Sequence, residues 1–180
     1  LRERIAATPD QDVSATADTA DDIEALEAYA RHAFGAHFAE VRVDVDSGEI
    51  RVPRMVSVFA AGRIVNPTTA RSQFLGGVTM GIGMALHEQS VLDPQFGDFV
   101  NHDLAGYHVP VSADIGELEI DWVDETDELV NPLGIKGIGE IGIVGAAAAV
   151  ANAVWHATGT RQRDLPLTPD RIQPTLCAYR

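Results

Sequence analysis

One carboxylate in the C-terminal half of the sequence is distinguished by its neighbours. Glu140 is the only acid between Glu128 and Asp164, and it lies in a stretch from Gly134 to Gly142 that is rich in glycine and isoleucine. An Ala-rich stretch typical of a helix follows over residues 143–158. An acid at a helix N-terminus is commonly stabilised by the helix dipole alone. That interpretation leaves the glycines unexplained. A functional carboxylate beside exposed backbone accounts for both the lone acid and the glycines around it. Such a carboxylate is suited to the role of general base.

The same stretch contains a literal Gly-x-Gly-x-x-Gly string from Gly137 to Gly142. A dinucleotide site also needs a buried strand before the motif, a helix that opens within it, and an acid about 20 residues further on at the end of the next strand. Here Asn131-Pro132-Leu133 precedes the motif, and the helix that ends near Thr158 leaves no room for a strand before Asp164. A nicotinamide site is therefore the less favoured interpretation.

Other residues that could do chemistry have weaker signals. Gln73 lies one helical turn before Gly76-Gly77, and from the sequence alone it is a polar helix residue that faces water. The six histidines show no paired ligand spacing, and His87-Glu88 lacks the second histidine of a zincin. The single cysteine, Cys177, cannot form an internal disulfide, an iron–sulfur site or a thiolate zinc site. The sequence thus predicts no metal site built from its own side chains.

Charge and composition narrow the classes of partner. A net charge of −14 over 180 residues argues against binding to nucleic acid. Acids crowd residues 1–50 and 114–128, whereas residues 130–180 carry five bases against three acids. This pattern indicates a solvated acidic surface around a more neutral face, or a neutral glycine-rich part that faces something buried. No run of 18 apolar residues and no secretory signal occurs, and a first residue of Leu1 suggests a fragment or a processed or trimmed chain.

Alternating hydrophobicity predicts three strands. Phe38 to Asp46 alternates apolar and polar residues, which is typical of a strand with one face in water. Glu49 to Phe59 follows the turn at Ser47-Gly48, so the two strands form a hairpin. Pro53 has no N–H to donate, which indicates a sheet edge or a bulge. Residues 118–122 alternate apolar residues with acids and form the third strand.

Two main helices are predicted. Asn66-Pro67 is typical of a helix start, since Asn caps and Pro fits the first helical position, and this helix runs from Pro67 to about Glu88. Four glycines between Gly76 and Gly83 would each cost roughly 1 kcal/mol relative to alanine. We therefore expect another backbone or a flat ligand to approach where a Cβ would collide. The second helix, over residues 143–158, ends at Gly159.

Three strands with helices in no strict alternation favour an α+β fold, in which a mixed or antiparallel sheet packs with two main helices. Residues 1–33 are predicted to be an N-terminal linker or helical segment, with helical spacing from Asp18 to His32. Residues 34–180 are predicted to be the domain itself. Loops and short extended pieces are expected over residues 91–111, and a short last helix from Thr168-Pro169-Asp170.

Six stretches together carry a resemblance to a known family: Phe34–Val41, Gly62–Pro67, Ser72–Gly77, Gly81–Glu88, Gly134–Glu140 and Leu165–Pro169. Their order and spacing resemble the C-terminal part of the large, molybdenum-cofactor-binding subunit of the xanthine dehydrogenase and aldehyde oxidoreductase family. Asn101-His102-Asp103-Leu104 and Tyr107-His108-Val109-Pro110 are most similar to the bacterial multi-subunit aldehyde oxidoreductase branch.

The resemblance implies a molybdenum–pterin cofactor shared with the rest of the large subunit, and iron–sulfur and FAD carriers on partner subunits. It implies hydroxylation of aldehydes or N-heterocycles with water as the oxygen source. Glu140 matches the glutamate base of the family, and Gln73 matches the glutamine of the helix that approaches the cofactor. The remaining cofactor-binding residues that the resemblance implies are Gly76, Lys136, Gly137 and Gly139.

Large subunits of this family are several times longer than 180 residues, so we predict that this chain alone is inactive. The alternative is a non-catalytic fragment or stand-alone domain with an assembly or binding role. Coding sequence for the missing upstream part would favour the first interpretation, and its absence the second. Relatives occur in the cytoplasm and in the periplasm, and the compartment stays open.

Overall fold

The computed structural model describes residues 16–18 and 20–176. Cys177 and the predicted linker before residue 16 lie outside them. The chain divides into two compact units, Leu1–Arg31 and His32–Arg180. In the first unit the described helix is α1 (Ala20–Ala25). The helical spacing predicted to His32 therefore overestimates the helix, since a short isolated segment is marginal as a helix in water.

A mixed sheet forms the centre of the second unit. Strand β1 (Phe34–Val43) pairs antiparallel with β2 (Ile50–Ala60), as the hairpin prediction requires. After two short paired strands, β3 (Leu92–Asp93) and β4 (Asp98–Phe99), strand β5 (Ile115–Trp122) joins the other edge of β2 in parallel. The sheet order is β1-β2-β5, which confirms the α+β class with a mixed sheet.

Pro53 lies in the central strand of this sheet, so its predicted edge position is wrong and its predicted bulge is confirmed. The register of the β1–β2 pair shifts between Glu40 and Arg42, so that Val41 faces both Val52 and Pro53. The extra residue of a bulge stands outside the ladder of hydrogen bonds, and a proline without an N–H is tolerated there.

Helix α2 (Pro67–Leu86) begins where the sequence predicts it. The Asn66 side-chain oxygen accepts hydrogen bonds from the amides of Thr68 at 3.0 Å and Thr69 at 3.2 Å. The helix start predicted from Asn66-Pro67 is thus confirmed.

The predicted second helix is two helices, α3 (Ile141–Val144) and α4 (Ala146–Thr158), which meet at Gly145. The start predicted at Ile143 is wrong, since α3 begins at Ile141 and α4 at Ala146. Gly145 lies against the His37 ring, and a Cβ there would stand 2.5 Å from the ring carbon Cδ2. Gly159 has a φ of 68° and ends α4 as predicted. A last helix, α5 (Pro169–Leu176), follows.

The core lies between the sheet and helices α2 and α4. Phe59 of β2 and Phe74 of α2 stack with ring centroids 4.2 Å apart, and both are fully buried. Residues Ile141–Thr158 are long and apolar enough to cross a membrane by length and composition. In the fold they are divided at Gly145, and α4 contributes to the core through Ala146, Ala147, Val150 and Val154.

Candidate functional site

The glycines of α2 differ in their surroundings. Gly77 packs on Gly142 of α3, and a Cβ on Gly77 would stand 2.8 Å from the Gly142 Cα. Gly81 lies against the side-chain Cβ of Ala146 of α4. The predicted close approach of another backbone is therefore confirmed at Gly77. Gly76 differs, because a Cβ there would meet nothing within 4 Å.

The α2–α3 crossing brings Gln73 to the glycine-rich turn. Its side-chain amide Nε2 donates a hydrogen bond to the carbonyl of Gly139 at 2.9 Å, although the two residues are 66 positions apart. Gln73 is exposed, as the sequence predicts, and it makes this contact as well. The residue after Gly139 is Glu140, so one side chain of α2 holds the backbone next to the candidate base.

Glu140 begins α3, and not the Ala-rich helix as predicted. Its carbonyl accepts hydrogen bonds from the amides of Ile143 at 3.0 Å and Val144 at 3.3 Å. Its carboxylate makes no capping hydrogen bond, and within the described residues it has no other polar partner. The side chain is exposed beside the glycine-bearing helix, so the carboxylate is available to a group outside this chain.

Lys136 pairs with two acids of the loop after β5 and not with Glu140. Its Nζ lies 2.9 Å from a carboxylate oxygen of Glu125 and 3.1 Å from one of Asp127, and its side chain is only 8% exposed. The hydrogen bond to Glu125 raises the pKa of Lys136, and the same bond lowers the pKa of Glu125. The backbone of the turn is also tied to residues 61–63, for the amide of Arg63 donates to the Gly134 carbonyl at 2.7 Å. Lys136 therefore anchors the glycine-rich turn.

This anchor predicts a pH-dependent contribution to stability. Since the folded-state pKa of Lys136 is raised, its contribution is complete below the unfolded pKa of roughly 10.4 and is lost as pH rises through the folded value. Since that of Glu125 is lowered, its contribution is complete above roughly 4.3 and is lost as pH falls through the folded value. We expect Lys136→Met to lower the free energy of unfolding by about 1–2 kcal/mol at pH 7. Urea unfolding between pH 3 and pH 7 measures this. As pH falls, the free energy of unfolding should decrease less in Lys136→Met than in the parent chain. An equal decrease in both proteins would contradict the prediction.

Two further glycines of the turn are open. A Cβ on Gly137 or Gly139 would meet nothing within 4 Å, as at Gly76 on α2. None of the backbone hydrogen bonds in the described loops uses the amide of Gly137, Ile138 or Gly139 as its donor. The open glycines, Gln73 and Glu140 are all exposed, and the Gln73–Gly139 hydrogen bond joins the two segments that carry them.

The polar groups at these exposed residues fit a cofactor that brings its own metal ligands. Within residues 16–18 and 20–176, no group of three or more His, Cys, Asp or Glu side chains could hold a metal ion. A metal at this face would need an organic ligand, and a planar one can approach closely only where side chains are missing. The open glycines at 76, 137 and 139 meet that requirement.

Comparison with known proteins agrees with a cofactor of this kind. The sequence model of the molybdopterin cofactor-binding domain family matches residues 4–116, more than half of the chain. The chain belongs to this family. The resemblance seen in the sequence motifs is thereby confirmed.

Named relatives of this molybdopterin cofactor-binding domain are similar over most of its length. It is 53% identical to the aldehyde oxidoreductase molybdenum-binding subunit PaoC of Escherichia coli K12 over 144 residues, which are 80% of this chain and 20% of PaoC. It is 39% identical to a xanthine dehydrogenase molybdenum-binding subunit of E. coli O157:H7 over 140 residues, 78% of this chain and 18% of that subunit. The crystal structure of quinoline 2-oxidoreductase from Pseudomonas putida 86 matches with a TM-score of 0.74 and 32% identity, covering 81% of this chain and 19% of that one. The domain therefore spans about a fifth of the length of these relatives.

His37 is the residue of this molybdopterin cofactor-binding domain that the sequence reasoning missed. Its ring lies between the sheet and α3, with Nδ1 2.8 Å from the hydroxyl of the fully buried Ser57. Burial lowers the pKa of His37, and a hydrogen bond to the backbone of Ile141 opposes that shift. A signal was present: His37 falls on the inward face of β1 with Ala39, Val41 and Val43, where a polar residue needs a buried partner.

Proposed function

We propose that this chain is the base-bearing part of a molybdenum hydroxylase that oxidises aldehydes or N-heterocycles. The overall reaction turns a C–H bond into C–OH, takes its oxygen from water, and releases two electrons and two protons. The molybdenum–pterin cofactor, when bound, would supply the two-electron redox chemistry. The observation that carries the proposal is the carboxylate of Glu140, which is unpartnered among the described residues and stands beside the Gln73–Gly139 hydrogen bond.

Each residue of the face has a task in this proposal. Glu140 takes a proton from the oxygen nucleophile, which is derived from water, and positioned base catalysis typically supplies ~10²–10⁴-fold in rate. Gln73 holds the carbonyl of Gly139 and so fixes the turn before the base. Gly76, Gly137 and Gly139 leave room for the cofactor. Lys136 keeps the turn in place through Glu125 and Asp127, so its contribution to cofactor binding is indirect.

The names of relatives support the choice of substrates. PaoC is an aldehyde oxidoreductase subunit, and the structural relative from P. putida is a quinoline oxidoreductase, whose named substrate is an N-heterocycle. Relatives are named as subunits, so we further propose that the rest of a large subunit and partner subunits with iron–sulfur and FAD carriers complete the enzyme.

The size of the chain supplies a direct test. Because it spans 20% of PaoC, we expect the purified 180 residues to bind little or no molybdenum and to show no aldehyde-dependent dye reduction. Co-expression with the missing large-subunit part and the two electron-carrier subunits should restore both. Metal content and dye reduction are measured on the same preparations. A chain that carries one molybdenum and turns over aldehyde alone would contradict the expectation, and a complete, metal-loaded complex without turnover would favour an assembly or binding role.

A further inference from the structure

The outward face of α2, a helix that the structure describes in full, carries no charged residue. Exposed residues recur there at intervals of three and four positions, opposite the buried side of the helix, and we call them the methionine face: Gln73, Gly76, Met80 and Met84. Met80 is 59% exposed and Met84 is 42% exposed. A helix at a protein surface normally presents charged side chains to water. This face instead presents an amide, a bare backbone position and two thioethers.

The neighbouring helices are also almost free of charge. Arg71 is the one charged residue in the sequence of α2, and its Nη1 donates a hydrogen bond to the Ile120 carbonyl of β5 at 2.9 Å. The sequences of α3 and α4 contain no Asp, Glu, Lys or Arg. The net charge of the chain is −14, so its many acids are concentrated elsewhere. Covering these helices with protein would therefore remove few charges from water, and that removal is the costly part of burial.

The length of the relatives indicates what covers the methionine face. The chain corresponds to 20% of PaoC and to 19% of the quinoline 2-oxidoreductase chain, so most of such a subunit is further polypeptide. The proposed function places the cofactor at Gln73 and Gly76, which lie at one end of the methionine face. A cofactor shared between two parts of a subunit stands where the two parts meet. The part that completes the site therefore stands over the same side of α2.

The other end of the methionine face extends away from the cofactor positions. At a rise of 1.5 Å per residue, Met84 lies about 12 Å along the helix axis from Gly76. Its exposed surface therefore needs a cover other than the group at Gly76. Methionine is a flexible, polarisable side chain that fits irregular apolar surfaces, as packing against another protein surface requires.

We propose that the methionine face is the docking surface for the missing large-subunit part, which packs apolar side chains on Met80 and Met84 and completes the cofactor site over Gln73 and Gly76. The inference rests on the proposed function, because that function defines the partner. A helix with apolar residues on all sides belongs inside a larger protein, and this partner supplies the second layer that α2 needs.

The three methionines of the chain supply the first test. Hydrogen peroxide transfers an oxygen atom to an accessible methionine sulfur and leaves as water. In the purified 180-residue chain, Met80 and Met84 should be oxidised, whereas Met55, which is fully buried, should stay reduced. In the complex with the missing large-subunit part, both should react at least about tenfold more slowly, as peptide mass spectrometry measures. An unchanged rate at Met84 after assembly would overturn the proposal.

Substitution gives a second test, which does not depend on oxidation. Met80→Glu and Met84→Glu should leave the melting temperature of the chain unchanged, since both side chains are exposed, but should lower recovery of the complex by about tenfold or more, since an unpaired charge opposes burial. Val45→Glu is the matched control, because Val45 is also 59% exposed and lies in a turn between Asp44 and Asp46. Full recovery of the complex in both methionine variants, or an equal loss in Val45→Glu, would overturn the proposal.

Two other occupants predict different results for the purified chain alone. If a second copy covered the methionine face, Met84 would become protected as the protein concentration rises, and sedimentation would show a dimer. If a lipid surface covered it, phosphatidylcholine vesicles would protect Met84. We expect a monomer whose oxidation neither condition slows, and protection in either condition would overturn the proposal.

The inference and the proposed function can fail separately. A complex that oxidises aldehydes while Met80 and Met84 react as fast as in the isolated chain overturns this inference and leaves the proposed function intact. A metal-loaded complex that protects both methionines but shows no turnover supports the docking surface and contradicts the proposed function.

Discussion

Glu140→Gln in the assembled enzyme is expected to abolish measurable turnover while the molybdenum content stays at the parent level. Gln has nearly the same shape as Glu but cannot accept a proton at neutral pH. Positioned base catalysis is typically worth ~10²–10⁴-fold, and the loss is larger where the base activates the nucleophile itself. The Glu140 side chain makes no capping hydrogen bond, so the substitution should leave α3 intact. Steady-state kcat with an aldehyde and metal analysis of the same sample make the measurement.

Glu128→Gln is the matched control for this experiment. Glu128 is another exposed acid, and no ion pair holds it within the described part of the chain. The same change of charge there should leave kcat within about twofold of the parent, as is usual for surface substitutions away from a site. Retained turnover in Glu140→Gln would remove the residue from the role of base, and loss of metal in that variant would show that it acts through cofactor binding instead.

Local signals predicted those parts of the fold whose causes lie within a few residues. The Asn66-Pro67 cap is of this kind, since its hydrogen bonds reach only Thr68 and Thr69. The same holds for Gly159, where a helix ends with a positive φ. Alternation along β1 also carried the information that places His37 inward, although its partner Ser57 is 20 residues away.

Features with distant causes could not be predicted in this way. Pro53 lies in a central strand because β5 pairs with β2 on its far side, some 60 residues further along the chain. Gly145 is a glycine where the ring of His37, from a distant strand, occupies the space of a Cβ. The ion pairs of Lys136 with Glu125 and Asp127 follow from the path of the loop after β5.

In the candidate site, too, some features have local causes and others have distant ones. A lone Glu140 among glycines was a visible local signal, and the resemblance to the family assigned the role of base to it. The hydrogen bond from Gln73 to Gly139, the residue before Glu140, exists only because α2 and α3 cross. That crossing depends on the contact between Gly77 and Gly142. No periodicity within either segment predicts that contact, because it joins two helices through the absence of side chains.

Gly76→Ala and Gly77→Ala are therefore expected to change the stability of the chain in opposite directions. Within a helix, alanine is favoured over glycine by roughly 1 kcal/mol. At position 76 a Cβ meets nothing within 4 Å, so this gain should appear in full. At position 77 a Cβ would stand 2.8 Å from the Gly142 Cα and 3.0 Å from the Ile143 nitrogen, and backbone atoms cannot rotate away. Overpacking of this kind typically costs about 1–3 kcal/mol, and we expect this cost to exceed the gain at position 77.

Urea unfolding of the 180-residue chain measures these changes, with a rise of about 1 kcal/mol expected for Gly76→Ala and a net fall of up to about 2 kcal/mol for Gly77→Ala. The assembled enzyme should respond differently. If the open side of Gly76 is where the cofactor approaches, the variant that stabilises the chain should carry less molybdenum, because its new methyl group occupies that space. Gly77→Ala should instead retain metal and lose kcat, since it displaces α3 and with it Glu140. Full metal content in Gly76→Ala would mean that this face of α2 lies away from the cofactor, and equal stability of the two variants would mean that α2 and α3 are not in contact through Gly77.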